Sequence, residues 1–407
     1  MPDPAPTDAK TKASGSPLEV FAAFLLLGLT SFGGPVAHLG YFRREFVQRR
    51  RWLDDGAFGD VLALCQFLPG PASSQAGLLI GLSRAGYSGM AAAWLGFTGP
   101  SAIAMVVFAL AAPTVSQAMG GGWLHGLRLA AVAVVAQAVI AMSRSLTPDA
   151  PRASLAVAAA LVALWAPSPL TQLAVIGAGL AIGLVALRAA AEPARSPIPA
   201  RVDARVAVAA LATFAVLLVG LPLAAGASGR HDLELAARFY RTGSLVFGGG
   251  HVVLPLLQAE VVPPGWISQN AFLSGYGAAQ AVPGPLFSFA AYLGAAMGPP
   301  PNGWAGAVLC LVAIYAPSFL LIVGAAPFWN VLRERTSARA ALAGANAAVV
   351  GLLAAAFYNP VWTTAVGGVS DVGVVLAAFL LLAAWRAPPW LVVALAALCG
   401  QGLAITI

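Results

Sequence analysis

The chain repeats itself, and what it repeats is a pair of helix breaks set inside apolar sequence. Phe32-Gly33-Gly34 is followed by Trp52, Phe58, Gln66 and Pro69-Gly70-Pro71, and Phe247-Gly248-Gly249 is followed by Trp266, Phe272, Gln280 and Pro283-Gly284-Pro285. Gly33 and Gly248 stand 215 residues apart and Pro69 and Pro283 stand 214 apart, so a single one-residue gap aligns these two motifs. Glycine and proline free backbone groups that lipid cannot satisfy, so such breaks must be buried in protein or line a wet cavity. Duplicated halves interrupted at matching positions mark the binding site of a secondary transporter, and half-helix N-termini at such a place suit an anion.

Composition limits the class further. Of the 407 residues 9% are charged and 59% hydrophobic, against about a quarter charged in soluble domains. The chain therefore reads as an all-α polytopic membrane protein. Lys plus Arg number 22 and Asp plus Glu 15, but most arginines sit in short loops between apolar runs, as the positive-inside bias produces. No basic and aromatic groove pattern is present, so nucleic acid is not an expected partner. Cys65, Cys310 and Cys399 lie far apart in apolar stretches and read as small hydrophobes, so neither a disulfide framework nor a metal site is expected. No cofactor is expected either.

Apolar runs at 88–112, 124–144, 153–167, 169–188, 205–225, 303–328, 340–358, 370–385 and 389–406 are the candidate spans. Most approach the roughly 20 residues that a 30 Å hydrocarbon core requires. Residues 57–68 and 72–83 flank Pro69-Gly70-Pro71; as helices each would rise only about 18 Å, too little to cross. They read as arms of a re-entrant hairpin, with Asp54 or Asp55 capping the first arm and Ser268 at the aligned position of the second half. The stretches 18–47 and 236–258, broken at Gly33-Gly34-Pro35 and Gly248-Gly249-Gly250, supply two more hairpins. The alternative is that these last two are kinked spans.

Charge placement orients the halves. The loop 41–55 carries Arg43, Arg44, Arg49, Arg50 and Arg51, while its repeat partner 256–269 carries no basic residue and one acid, Glu260. Arg333, Arg335 and Arg339 crowd a loop whose partner, 113–124, is uncharged. Two halves with opposite bias are inverted relative to each other. Four crossings per half cannot invert the second, so 205–225 is needed as an extra span. The expected organisation is a disordered cytosolic tail (1–16), an N-terminal repeat (17–188), a basic cytosolic linker (189–204) with Arg195 and Arg201, an inversion helix (205–225) and a C-terminal repeat (226–407). That amounts to nine spans and four hairpins in the bacterial cytoplasmic membrane, N-terminus cytosolic.

An anion at mid-membrane needs fixed donors without full countercharges. Gly33, Gly34, Gly70, Gly248, Gly249 and Gly284 at the breaks offer free N–H groups and half-helix dipoles. Ser73, Ser74 and Gln75 open the arm after the first Pro-Gly-Pro and Ser288 follows the second; their side chains can donate to oxyanion oxygens or merely permit close helix packing. Gln66 and Gln280 recur three residues before each Pro-Gly-Pro, where they line the cavity or brace the turn. His38 and His251 follow the glycine breaks without aligning, and each is either a titrating group or a neutral interhelical bridge. Asp60 can carry a proton or pair with the Arg43–Arg51 cluster, which itself serves as an anion funnel or as a topology signal. Arg128, a turn into its helix, can meet the substrate or snorkel to the interface.

As a set these motifs resemble the chromate ion transporter family in its long, two-domain bacterial form. The residues that carry the resemblance are Phe32-Gly33-Gly34-Pro35 with His38, Trp52-Leu53, Gln66-Phe67-Leu68-Pro69-Gly70-Pro71 and Gly99-Pro100-Ser101. Phe247-Gly248-Gly249-Gly250-His251, Gln280-Ala281-Val282-Pro283-Gly284-Pro285 and Ala316-Pro317-Ser318 echo them in the second half. The resemblance implies a proton-motive-force-dependent exporter of chromate, with sulfate-like oxyanions as further cargo. Gly250 replaces the proline of the first motif, so the two hairpins need not be equivalent.

No GxxxxGK(S/T) loop is present and Lys10 and Lys12 are the only lysines, which excludes direct ATP coupling in this chain. A dianion leaving a negative interior gains about 4.6 kcal/mol per 100 mV, twice the single-charge value. Membrane potential alone can drive export. A sulfate or molybdate carrier and a passive anion channel are the alternatives; an intramembrane enzyme is disfavoured by the absence of HExxH, of a mid-span aspartate pair and of a Ser/His/Asp grouping. Homo-oligomerisation is left open.

Overall fold

The computed structural model describes residues 15–187 and 202–406. The expected tail and nearly all of the basic linker, with Arg188, Arg195 and Arg201, lie outside the described residues. Among those described the regular structure is entirely helical. The N-terminal half runs α1 (Pro17–Thr30), α2 (Gly34–Phe42, prolonged by a π-helical stretch Arg43–Arg49), α3 (Asp55–Phe67), α4 (Ala72–Met119), α5 (Gly122–Leu146), α6 (Ala150–Trp165) and α7 (Pro169–Ala186). α8 (Ala204–Ser228) follows. The C-terminal half repeats the order as α9 (His231–Leu245), α10 (Val253–Val261), α11 (Gln269–Ala281), α12 (Phe289–Ala296), α13 (Gly303–Ala325), the single turn α14 (Trp329–Leu332), α15 (Thr336–Ala356), the short α16 (Thr363–Ala365), α17 (Val369–Ala383) and α18 (Pro389–Thr406).

Every run expected to cross is helical, but the runs are of two kinds. Among the described residues six helices are long and apolar enough to cross a membrane: α4, α5, α7, α8, α13 extended to Leu332, and α15 extended to Ala365. α6 and α17, with 16 and 15 residues, rise only about 24 and 22 Å. α18, apolar over Pro389–Ile405, also belongs to the shorter helices. α4 is two elements in one, because Ala85 (φ −142°) and Gly86 (φ +68°) leave the helical region and separate the arm 72–84 from the span beyond. Asp54 accepts a hydrogen bond from the Ala57 amide (2.7 Å) and Ser268 one from the Ala271 amide (3.2 Å). The two hairpin arms α3 and α11 thus start on equivalent caps, as expected.

The glycine-broken segments are hairpins and not kinked spans. Phe24 of α1 packs edge-on to Phe42 of α2 and lies 4.8 Å from Phe46 between ring centroids, so the chain has turned back on itself. In the other half Arg238 of α9 donates to the Glu260 carbonyl of α10 (2.6 Å), which closes that hairpin in the same way. Both N-terminal hairpins open at one end of the molecule. There Glu19 pairs with Arg84 (3.1 Å), and Arg84 and Arg50 lie over the Trp52 ring at 5.1 and 5.4 Å. Both C-terminal hairpins open where Arg238 lies over Trp266 (4.4 Å) and the Gly298 amide donates to the Trp266 carbonyl (3.0 Å). Trp52 and Trp266 are repeat-related.

These two ends are opposite. α13 starts near Gly298 and, beyond its far end, Arg333 reaches Asp60 of α3 at 3.3 Å. α8, with 25 residues or about 37 Å, carries the chain between the two ends. The halves are therefore inverted, with α8 as the extra crossing that inversion needs. They also interdigitate: α5 packs on α17 and α18 of the other half, and α15 packs on α6 and α7. Gly122 and Gly126 bring α5 against Ala396 and Gly400, and Gly179 and Gly183 bring α7 against Gly344, the small-xxx-small spacing of close membrane helices.

Inversion makes a direct prediction. In a cysteine-free background, cysteines at the exposed positions Arg44 and Pro264 are expected to react with a membrane-impermeant maleimide from opposite sides only. Labelling of both from one side contradicts the inversion.

Candidate functional site

The four breaks meet, and they pair across the halves. Gly70 lies in the second break of the N-terminal half (φ +131°), and its amide donates to the Val246 carbonyl in the first break of the C-terminal half (2.7 Å). Gly284 (φ +104°) returns the arrangement, donating to the Ser31 carbonyl at 2.9 Å. The serines of the third repeated motif complete the interlock. Ser318 faces Gly70, where a Cβ would come within 2.9 Å of its Oγ, and Ser101 faces Gly284 at 3.0 Å by the same measure. Both serines are almost fully buried. Gly70 and Gly284 are thus conformational and bonding necessities, and their own amides are spent on the partner half.

Around the Ser31–Gly33 break lies a cavity of ≈ 70 Å³ lined by Gly33, Gly34, Val134, Gln137, His251, Ala279, Gln280, Val282, Gly284, Leu286, Leu382 and Pro389. A single water needs about 10–15 Å³ on this scale, so the space holds several waters or one small oxyanion. Among the described residues no formally charged side chain lines it. α2 starts here at Gly34, after the left-handed Gly33 (φ +102°) and without a side-chain cap, which leaves first-turn amides and the positive end of the helix dipole at the cavity. The Gln280 Nε2 is buried with no hydrogen-bond partner, a state that costs about 1–3 kcal/mol until a ligand or water accepts from it. His251 Nδ1 is 2.8 Å from the Tyr276 hydroxyl.

Of the residues singled out in the sequence, Gly33, Gly34, Gln280, Gly284 and His251 come together here. The others have different places. Ser73 Oγ is 3.4 Å from His38 Nδ1, and Ser74 Oγ is 3.3 Å from the Tyr315 hydroxyl, so both hydroxyls bridge helices. His38 is 1% exposed, 3.3 Å from the Ser31 carbonyl through Nε2 and edge-on to Phe97; it ties the first hairpin to the second, the bridging alternative. Ser288 is buried in the turn after Pro285. Gly248 and Gly249 (φ +75° and +153°) lie by Met142, with Leu146 and Asn346 also beside Gly248. Bracing of the Pro-Gly-Pro turn falls to Gln75, whose Nε2 donates to the Pro69 carbonyl at 2.7 Å, while Gln66 is exposed.

Asp60 pairs with Arg333 of the opposite half, with both side chains nearly buried. The Arg43–Arg51 cluster has other acids: Arg43 pairs with Asp55 (2.8 Å), and Arg49 and Arg50 pair with Glu45. Arg128 donates to His125 Nδ1 (3.1 Å), which in turn holds Asp371 through Nε2 (2.7 Å). Arg128 lies nine residues before Gln137 on α5, about 13 Å along the axis, so it is a rim residue. Sequence reasoning missed Gln137. The signal was present, since an amide in mid-span is costly and marks a functional position.

A family model described as Chromate transporter matches residues 18–184 and 233–401, one segment on either side of α8. The chain is 30% identical over 362 residues to the chromate transport protein of Pseudomonas aeruginosa, covering 86% of this chain and 83% of that one. It is 26% identical over 339 residues to the chromate transport protein of Cupriavidus metallidurans, with 82% and 80% covered. It is likewise 26% identical over 344 residues to an uncharacterized transporter of Methanocaldococcus jannaschii, with 84% and 83% covered. No solved structure matches it.

Proposed function

The chain belongs to the chromate transporter family, and from that premise we propose that it is a secondary carrier that exports chromate across the bacterial cytoplasmic membrane and so confers chromate resistance. The transport unit is the repeat 17–188 and the repeat 226–407 joined through α8, with the arginine-rich end and the N-terminus in the cytosol. What supports the reading most is the convergence of breaks from both halves on one cavity without formal charge. A dianion there is held by helix-start amides, the Gln280 amide and His251, strongly enough to bind and weakly enough to leave.

The cavity lies between two bodies. Gly33, Gly34, His251, Gln280 and Gly284 belong to the hairpins, while Val134, Gln137, Leu382 and Pro389 belong to α5, α17 and the start of α18. Rocking the hairpins against these helices exposes the cavity to one side and then the other, which is alternating access in an inverted repeat. His251 is the titratable side chain that faces the anion, and proton coupling is assigned to it. The same donors fit sulfate and related four-oxygen anions.

Purified protein in liposomes is expected to move chromate and sulfate toward the positive side of a potassium diffusion potential at constant pH. It is also expected to support counterflow of labelled anion, which a passive channel does not. Absence of flux above protein-free liposomes for both anions rejects the reading, and flux without counterflow selects the channel. Varying pH at zero potential then isolates the proton contribution.

A further inference from the structure

We propose that Gln137 contacts the transported anion and sets the affinity of the cavity for four-oxygen dianions; this rests on the reading of that cavity as the transport site. Gln137 is half-buried in the middle of α5 and lines the cavity. Its Nε2 stands 3.5 Å from the Leu382 carbonyl, the outer limit of a hydrogen bond, so the amide is held in place without being consumed. With no Arg or Lys among the described residues of the wall, neutral donors carry the binding. Gln280, whose Nε2 lacks a partner, comes from the hairpins.

The register set by Ser101 and Ser318, 217 residues apart, places Ala354 of α15 opposite Gln137. At that place one half carries a methyl group and the other an amide. Because Gln137 sits on the α5 side and Gln280 on the hairpin side, one anion accepting from both bridges the two bodies that must move past each other. Gln137 is then the donor through which the α5 body holds the cargo.

The test uses the full chain. Sulfate and chromate are titrated against wild type, Gln137→Leu and Gln137→Glu, with liposome flux and the anion-induced rise in thermal unfolding temperature in detergent as readouts. Wild type is expected to show both. Gln137→Leu is expected to raise the half-saturating anion concentration by about tenfold or more, the effect of losing one hydrogen bond to a charged group, with the maximal rate little changed. Gln137→Glu preserves shape and is expected to abolish anion stabilisation by repulsion, which keeps the test decisive where the leucine variant fails to fold. Unchanged half-saturation in Gln137→Leu, or undiminished anion stabilisation in Gln137→Glu, overturns the inference while leaving the carrier reading intact. A wild type that neither transports nor is stabilised by either anion defeats the carrier reading itself.

Discussion

Replacing Gly70 by leucine is expected to abolish transport while leaving the protein in the membrane. Gly70 has φ +131°, a conformation costing a leucine roughly 1–3 kcal/mol before any contact is considered. Its Cβ would also drive into the Gln75 amide and approach Ser318 Oγ at 2.9 Å. The turn must shift, and with it the Gly70 amide that holds the Val246 carbonyl at 2.7 Å. Because each second break is bonded to the first break of the other half, an ångström-scale shift here spreads to the whole cluster, and shifts of that size cost function on the order of a hundredfold. Gly284→Leu is expected to do the same through Ser101 and the Ser31 carbonyl. Gly40 has ordinary helical geometry with no atom within 4 Å of an added Cβ, and Gly40→Ala is the control expected to transport normally. Chromate flux per membrane-inserted molecule measures all three, and a freely transporting Gly70→Leu protein removes the interlock from the mechanism.

Asp60→Leu is expected to be the most destabilising single substitution at the basic end. It leaves Arg333, a side chain only 10% exposed, without the Asp60 carboxylate. Breaking one side of a buried ion pair costs about 3–5 kcal/mol, whereas replacing both members with apolar residues is often neutral. The double variant Asp60→Leu/Arg333→Leu is therefore expected to regain most of the unfolding temperature lost in the single one. If Asp60→Leu unfolds at the wild-type temperature, the pair has no structural weight. If the double variant is as unstable as the single, the loss lies in something other than the stranded guanidinium. This pair joins α3 to the opposite half, while the repeat-related Ser274 makes only a hydroxyl contact to the Leu124 carbonyl at 3.2 Å. The two ends of the molecule are thus closed by contacts of different strength.

Much of this was legible because membrane insertion acts through local rules. Apolar run length set the helices, Asp54 and Ser268 set matching hairpin starts, and the uneven arginine loops set opposite orientations. The glycine and proline positions alone placed four breaks, and five of the residues chosen for them do line one cavity. Side-chain partners were a different matter. Nothing in sequence spacing told that Ser73 would serve His38 and Ser74 would serve Tyr315, that Gln75 would brace the turn in place of Gln66, or that Asp60 would find Arg333 273 residues away.

The amino-acid order by itself determined that this chain is an inverted, duplicated bundle whose helices stop short at paired points, since hydropathy, capping and φ preferences are properties of short segments. Tertiary structure alone decided which of the freed groups face open space and which are spent on each other. The reason is geometric: Gly70 and Gly284 are bonded to residues of the opposite repeat, and Gln137 reaches the cavity because α5 crosses to pack on α17 and α18. Such long-range pairings depend on how two halves interdigitate, which no single segment encodes.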